Sequence, residues 1–167
     1  NFLPEEIEPM KLGDQALKKL SGRYRMGTDE VLYLRKENDY LVENINEGNN
    51  IYCFPISKDT IVFTDYNIKA GFKFNQNGEV VSLQNVYQEK PMLKMRDDEF
   101  SPSEYLKMKN YVEAKKAYSA MKMNEYQITY LAYDLMNKKA LDLEAVKSII
   151  NEHDRSEERR VGKECLR

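Results

Sequence analysis

Between Ser21 and Met95 the chain offers eight short β-like runs, with turn signals in the gaps, and few architectures satisfy that pattern. The runs are GRYRM, EVLYLRK, YLVENI, NIYCFPI, TIVFTDY, IKAGFKF, EVVSLQNVY and PMLKM, and the breaks MGTDE, KEND, NEGNN, SKDT and NQNG are rich in Gly, Asn and Asp. Such spacing reads as consecutive antiparallel hairpins. In IKAGFKF, Ile68, Ala70, Phe72 and Phe74 fall on one face while Lys69 and Lys73 fall on the other, the period-two signature of a half-buried strand. Tyr24 and Met26 alternate in the same way with Arg23 and Arg25, and Val81 and Leu83 with Ser82 and Gln84. A meander of half-buried strands most simply closes on itself, because closure removes edges that would pair with other chains. The expected class is α+β: an eight-stranded antiparallel barrel or curled sheet over residues 17–97, followed by about three α-helices over 101–152.

The helical part announces itself at FSPSEY. Ser101 suits an N-cap, Pro102 the first helical position and Glu104 the reciprocal end of a capping box. Tyr105, Met108 and Val112 recur at helical spacing, with Ala114, Ala117 and Met121 beside them, so one helix is expected from Ser101 onward. A second is expected from Asn124, using Ile128, Leu131, Leu135 and Met136, and a third from Asp142, using Leu143, Val146, Ile149 and Ile150. Ahead of the barrel, DQALKKL reads as a short helix or turn, and residues 1–16, with the acidic PEEIEP, read as a linker from a preceding domain.

Charge and composition narrow the function classes. The whole chain carries a net charge of −2, but residues 1–154 contain 21 basic and 25 acidic side chains, a mildly acidic body that gives no electrostatic reason to expect nucleic acid. No stretch approaches the roughly 20 apolar residues that a membrane span requires. Cys53 lies in an apolar run, where a thiol most commonly fills core space. His153 and Cys53, a hundred residues apart, do not make a zinc ligand set, and Asp97, Asp98 and Glu99 form a charge run of the kind usually left in water. Neither a metal nor a cofactor is expected, since no phosphate-cradling glycine loop is present.

Four segments, taken in order, resemble a known arrangement: LKKLSGRY, FPISKDTIVF, FKFNQNGEVVSL and YLAYDLMNKKALDLEAVKSII. The first three resemble the small lipocalin-like barrel that follows the catalytic domain in many bacterial serine hydrolases related to beta-lactamases and penicillin-binding proteins. The carriers are Gly22 and Tyr24, the Phe54–Ser57 segment, and the Asn77–Gly78 turn. The fourth resembles tetratricopeptide-like helices through Leu131, Tyr133, Leu135 and Ala145. The resemblance implies a hydrolase domain joined in cis ahead of the barrel, a protein partner for the helical segment, and a periplasmic or cell-envelope location.

Catalysis within the chain itself is not expected. Ser119-Ala-Met-Lys122 matches the Ser-x-x-Lys of such hydrolases in letters only: no Ser-Asp-Asn or Tyr-x-Asn follows, and Lys69-Ala70-Gly71, the nearest match to Lys-Thr-Gly, comes before it. His153 has no Gly-x-Ser-x-Gly elbow to serve. The expected role is thus a non-catalytic accessory fragment of a serine hydrolase, supporting the hydrolase domain or its partner interactions. The alternative is an autonomous barrel binding a small apolar ligand, with Tyr24, Phe63, Phe72 and Phe74 lining its pocket. Residues 155–167 stand apart: RSEERRVGKEC resembles one translated frame of a common short-read sequencing adapter, and is set aside as a disordered, artefactual tail.

Overall fold

The computed structural model describes residues 8–46, 48–121 and 126. The chain divides into two compact units, Asn1–Glu99 and Phe100–Arg167. Residues 124–152, where the second and third helices were expected and where His153 follows, lie outside the described part except for Tyr126, which is helical.

The first unit is a closed barrel of eight antiparallel strands in simple sequence order, β1 to β8, with β8 returning to β1. Its strands are β1 Gly22–Arg25, β2 Val31–Glu37, β3 Tyr40–Ile45, β4 Ile51–Pro55, β5 Thr60–Phe63, β6 Ile68–Phe74, β7 Val80–Asn85 and β8 Met92–Lys94, one in each expected run. A short helix, α1 (Asp14–Leu20), precedes them. Asparagines make several of the tight reversals: Asn38, Asn46 and Asn67 all take positive φ, which their short polar side chains tolerate better than most. At the β6–β7 turn, Gly78 sits at φ 74° while the Asn75 side-chain oxygen accepts from the amides of Asn77 and Glu79, each at 2.9 Å.

The core is the barrel interior. Fifteen buried residues fill it, among them Tyr24, Leu34, Leu41, Ile61, Phe72 and Leu83 from the strands and Leu17 and Leu20 from α1. Because successive hairpins reverse direction, the β2–β3, β4–β5 and β6–β7 turns gather at one end, and α1 joins β1 at that same end. Asp14 there meets Lys36 of β2 at 2.6 Å, and the amide of Met10 donates to the Pro55 carbonyl at 2.7 Å. The β1–β2, β3–β4, β5–β6 and β7–β8 connections form the opposite end. Asn46 ties two of them together, accepting from the Val31 amide at 3.0 Å and donating to the Asp29 carbonyl at 3.1 Å.

Two expected alternations shift. Pairing slips between Lys73 and Phe74, so that Lys73 faces Ser82 while Phe74 faces Val80, and Val81 becomes the extra residue of a bulge. Val80 instead of Val81 therefore enters the core. Met26 falls just past the end of β1 and is 37% exposed, its alternation with Arg25 having no strand left to carry it.

In the second unit the single helix expected from Ser101 is two: α2 (Pro102–Lys107) and α3 (Tyr111–Ala120). The capping box is formed, the Ser101 amide donating to Glu104 Oε2 at 2.7 Å and the Glu104 amide to Ser101 Oγ at 3.3 Å. The break follows from a Schellman-type end. Lys109 turns left-handed at φ 58°, its amide reaches the Leu106 carbonyl and the Asn110 amide reaches that of Tyr105, both at 2.9 Å. Asn110 then caps α3 by accepting from the Glu113 amide. The turn moves Met108 and Val112 out of the expected stripe, and both are exposed, whereas Ala114 and Tyr118 are buried.

Candidate functional site

The barrel interior is the place where polar groups have been forced into unusual surroundings, and its two ends differ. At the α1 end, Gly22 and Tyr24 fasten the helix to the strands. Ser21 and its side chain both bond the Leu17 carbonyl, at 3.0 and 2.9 Å, and the fully buried Tyr24 hydroxyl donates to the Leu20 carbonyl at 2.5 Å. These satisfy carbonyls that a helix end leaves without intrahelical partners. Lys94 of β8 completes the arrangement: its ammonium donates to the Lys19 carbonyl at 2.8 Å and lies 5.8 Å from the centre of the Tyr24 ring. A cation suits the negative end of the helix dipole, and half-burial holds the Lys94 ammonium below its ordinary pKa. Gly22 makes room for it. Its φ of 147° disfavours a side chain, and a Cβ there would stand 2.6 Å from Lys94 Cε.

The seam between β1 and β8 is short, with two residue pairs in register, Tyr24 with Lys94 and Arg25 with Leu93. The segment beyond β8 reinforces it through Glu99 and the Arg96 carbonyl. Arg25 pairs with Glu99 at 2.8 Å, Arg23 donates to the Arg96 carbonyl at 2.7 Å, and Asp98 accepts from Arg96 at 3.0 Å. The Arg25 hydrogen bond holds the Glu99 carboxyl below the usual carboxylate range. Asp98 and Glu99 thus serve as partners of arginines.

The aromatic residues considered for a ligand pocket are partly brought together. Tyr24, Phe63 and Phe72 belong to the buried core, and the Tyr24 and Phe72 rings are 6.1 Å apart. Phe74 stands at the end of β6, 41% exposed. Of these four, Phe72 also borders an open depression of about 550 Å³ whose walls include Thr60, Lys69, Gly71 and Gln84, and a second depression of about 600 Å³ runs along α3 beside Lys115, Lys116 and Ser119. Ser119 is exposed in the last turn of α3, and Lys122 lies outside the described residues.

The residue that inspection of the sequence passes over is Glu43. It sits in β3 directly opposite Leu34 of β2 and Ile51 of β4, both core residues, and it follows Leu41 by two positions on the same face. Its side chain therefore points inward, towards the end opposite α1 that carries the β3–β4 connection, hereafter the loop-bearing end, and is 4% exposed. Among the described residues no hydrogen bond or ion pair reaches its carboxyl. Burial first, and the negative charge of Asp65 second, push that carboxyl up to about 7. Cys53, opposite Leu41 in β4, shares the interior, and burial and Glu43 together push its thiol well above the ordinary range, which leaves it protonated and unreactive. Nothing in YLVENI singles out Glu43 locally; the signal is an acidic residue at an inward position, readable only once the register is known.

Among the described residues no cluster of three or more His, Cys, Asp or Glu side chains is placed to hold a metal ion, and no helix is long and apolar enough to cross a membrane. No protein-family model matches the chain, and no curated protein matches it.

Proposed function

We propose that the chain is a non-catalytic accessory barrel with the beginning of a helical repeat, belonging to a bacterial serine hydrolase of the beta-lactamase-related class. The observation that carries this reading is where the resembling motifs fall. Gly22 and Tyr24, the Phe54–Ser57 segment and the Asn77–Gly78 turn come from distant parts of the sequence, yet all three gather at the α1 end of the barrel. Residues 8–13 lead into α1 at that end, and the Met10 amide bonds Pro55 within the second motif. A hydrolase domain joined in cis ahead of the barrel would be set against this end, which supports a buttressing role. The helical segment would offer a protein partner its surface, in the periplasm or cell envelope, and residues 155–167 are left out as adapter-derived.

A barrel that binds a small apolar ligand is supported less well, because Tyr24, Phe63 and Phe72 pack on other core side chains. The test is the complete source gene. A hydrolase domain carrying Ser-x-x-Lys directly upstream, and native codons ending before residue 155, is the expected result; a complete gene with no such domain overturns the proposal.

A further inference from the structure

Glu43 calls for a physical account, because an ionised carboxylate without a partner is among the costliest groups to place in an apolar interior. Among the described residues, none of the elements packed around it supplies a cation. From β2, Lys36 is on the same face but nearer the α1 end, where it is held by Asp14 at 2.6 Å, and Arg35 is paired outside with Glu37 at 2.8 Å. From β4 the titratable group is the Cys53 thiol, and from the β5–β6 connection it is Asp65, which accepts from Thr64 at 3.2 Å and repels a charge on Glu43. In β1, the Tyr24 hydroxyl is committed to Leu20. In β6, Lys69 and Lys73 alternate with the inward-facing Ala70 and Phe72 and so point outward, and Lys94 of β8 lies across Gly22 at the other end.

We propose that Glu43 makes the barrel proton-gated: uncharged, its carboxyl stays among Leu34, Ile51 and Cys53 and the loop-bearing end remains closed; ionised, it leaves the interior or admits water and loosens the pairing of β3 with β4. The contact to be loosened is small. Three residue pairs join these strands, Leu41 with Cys53, Val42 with Tyr52 and Glu43 with Ile51, and the pair bearing the acid is the one nearest the loops. The carboxyl's upward displacement from 4.5 to about 7 puts the transition near neutrality. Its sign follows from proton linkage. The folded state binds more protons than the unfolded state between those two values, so closure is favoured most at the acid side and weakens as pH rises through them.

The device does not rest on the accessory-domain reading and is tested separately, on the full chain. Carbon-13 NMR of the Glu43 carboxyl, followed from pH 4 to 9, is expected to show a midpoint near 7. Amide exchange in β3 and β4, corrected for intrinsic catalysis, is expected to show an opening equilibrium that rises by up to about tenfold per pH unit below that midpoint and then levels. Asp65→Asn removes the neighbouring charge and is expected to lower the midpoint, whereas Glu43→Gln is expected to abolish the pH dependence. A midpoint near 4.5, or exchange in β3 and β4 that does not change with pH, overturns the proposal. Should Glu43→Gln fail to fold, the pH dependence of β3 and β4 exchange in the wild type, and its displacement in Asp65→Asn, still decide it, since a carboxyl that titrates without loosening these strands moves neither.

Discussion

Tyr24 combines in one side chain the two demands that an inward tyrosine must meet. Its ring fills the core against Phe72, and its hydroxyl finds a buried acceptor in the Leu20 carbonyl. Burial accordingly pushes the phenol far above its ordinary value, so it remains a donor throughout the accessible pH range. Tyr24→Phe keeps the ring and removes only the bond, leaving a buried carbonyl at the end of α1 without its donor. It is expected to cost about 1–2 kcal/mol in urea unfolding, with the barrel intact by circular dichroism. A loss below about 0.5 kcal/mol would mean that water takes the place of the hydroxyl.

At the scale of elements, the junction between α2 and α3 shows a cap overriding a hydrophobic stripe. Lys109 holds a left-handed conformation that an L-residue adopts at some cost, in the position where glycine is favoured. Lys109→Gly is therefore expected to stabilise the helical unit by up to about 1 kcal/mol, read as a higher thermal midpoint for helix signal. Ser101→Ala acts in the opposite sense. Ser101 is fully buried, and its oxygen accepts from the Glu104 amide, so removing it is expected to cost about 0.5–2 kcal/mol of helix stability. A neutral Ser101→Ala would show that Glu104 alone holds the first turn.

For the molecule as a whole, two carboxyls set opposite arms of a pH profile. Lys18 and Lys36 hold Asp14 down to about 2 through hydrogen bonds, so the tie between α1 and β2 persists above the ordinary carboxylate value of 3.8 and is lost as pH falls through about 2. Glu43 acts in reverse. Its contribution is complete below 4.5 and declines until about pH 7, which predicts a loss of about 3 kcal/mol in unfolding free energy across that window. Denaturant titrations at pH 4.5, 6 and 8 read the slope directly, and Glu43→Gln should flatten it and make the protein more stable than wild type at pH 8. A wild-type profile already flat between pH 4.5 and 8 would contradict the burial argument.

The eight strands, their antiparallel order and the start of the helical segment were legible in the sequence, because each depends on information a few residues long. Period-two alternation in IKAGFKF, Asn- and Gly-bearing turns and the Ser101–Glu104 box all act locally, and short hairpins leave few ways to connect neighbouring strands. What was not legible depends on partners distant in the chain. The bulge that exposes Val81 and buries Val80 is a property of how β7 meets β6, and the exposure of Met26 follows from where β1 stops pairing. The break at Lys109 lay hidden because an asparagine inside an apolar helical repeat reads equally as interior or cap until the turn hydrogen bonds form. The candidate site was least legible of all. Tyr24, Phe63 and Phe72 could be chosen as inward aromatics from periodicity, but Glu43 is one acidic residue in a strand with polar positions on both faces. Local sequence determined which segments become strands; only closure of the barrel decided which side is dry, and desolvation of a charge is a property of that dry side rather than of the residue itself.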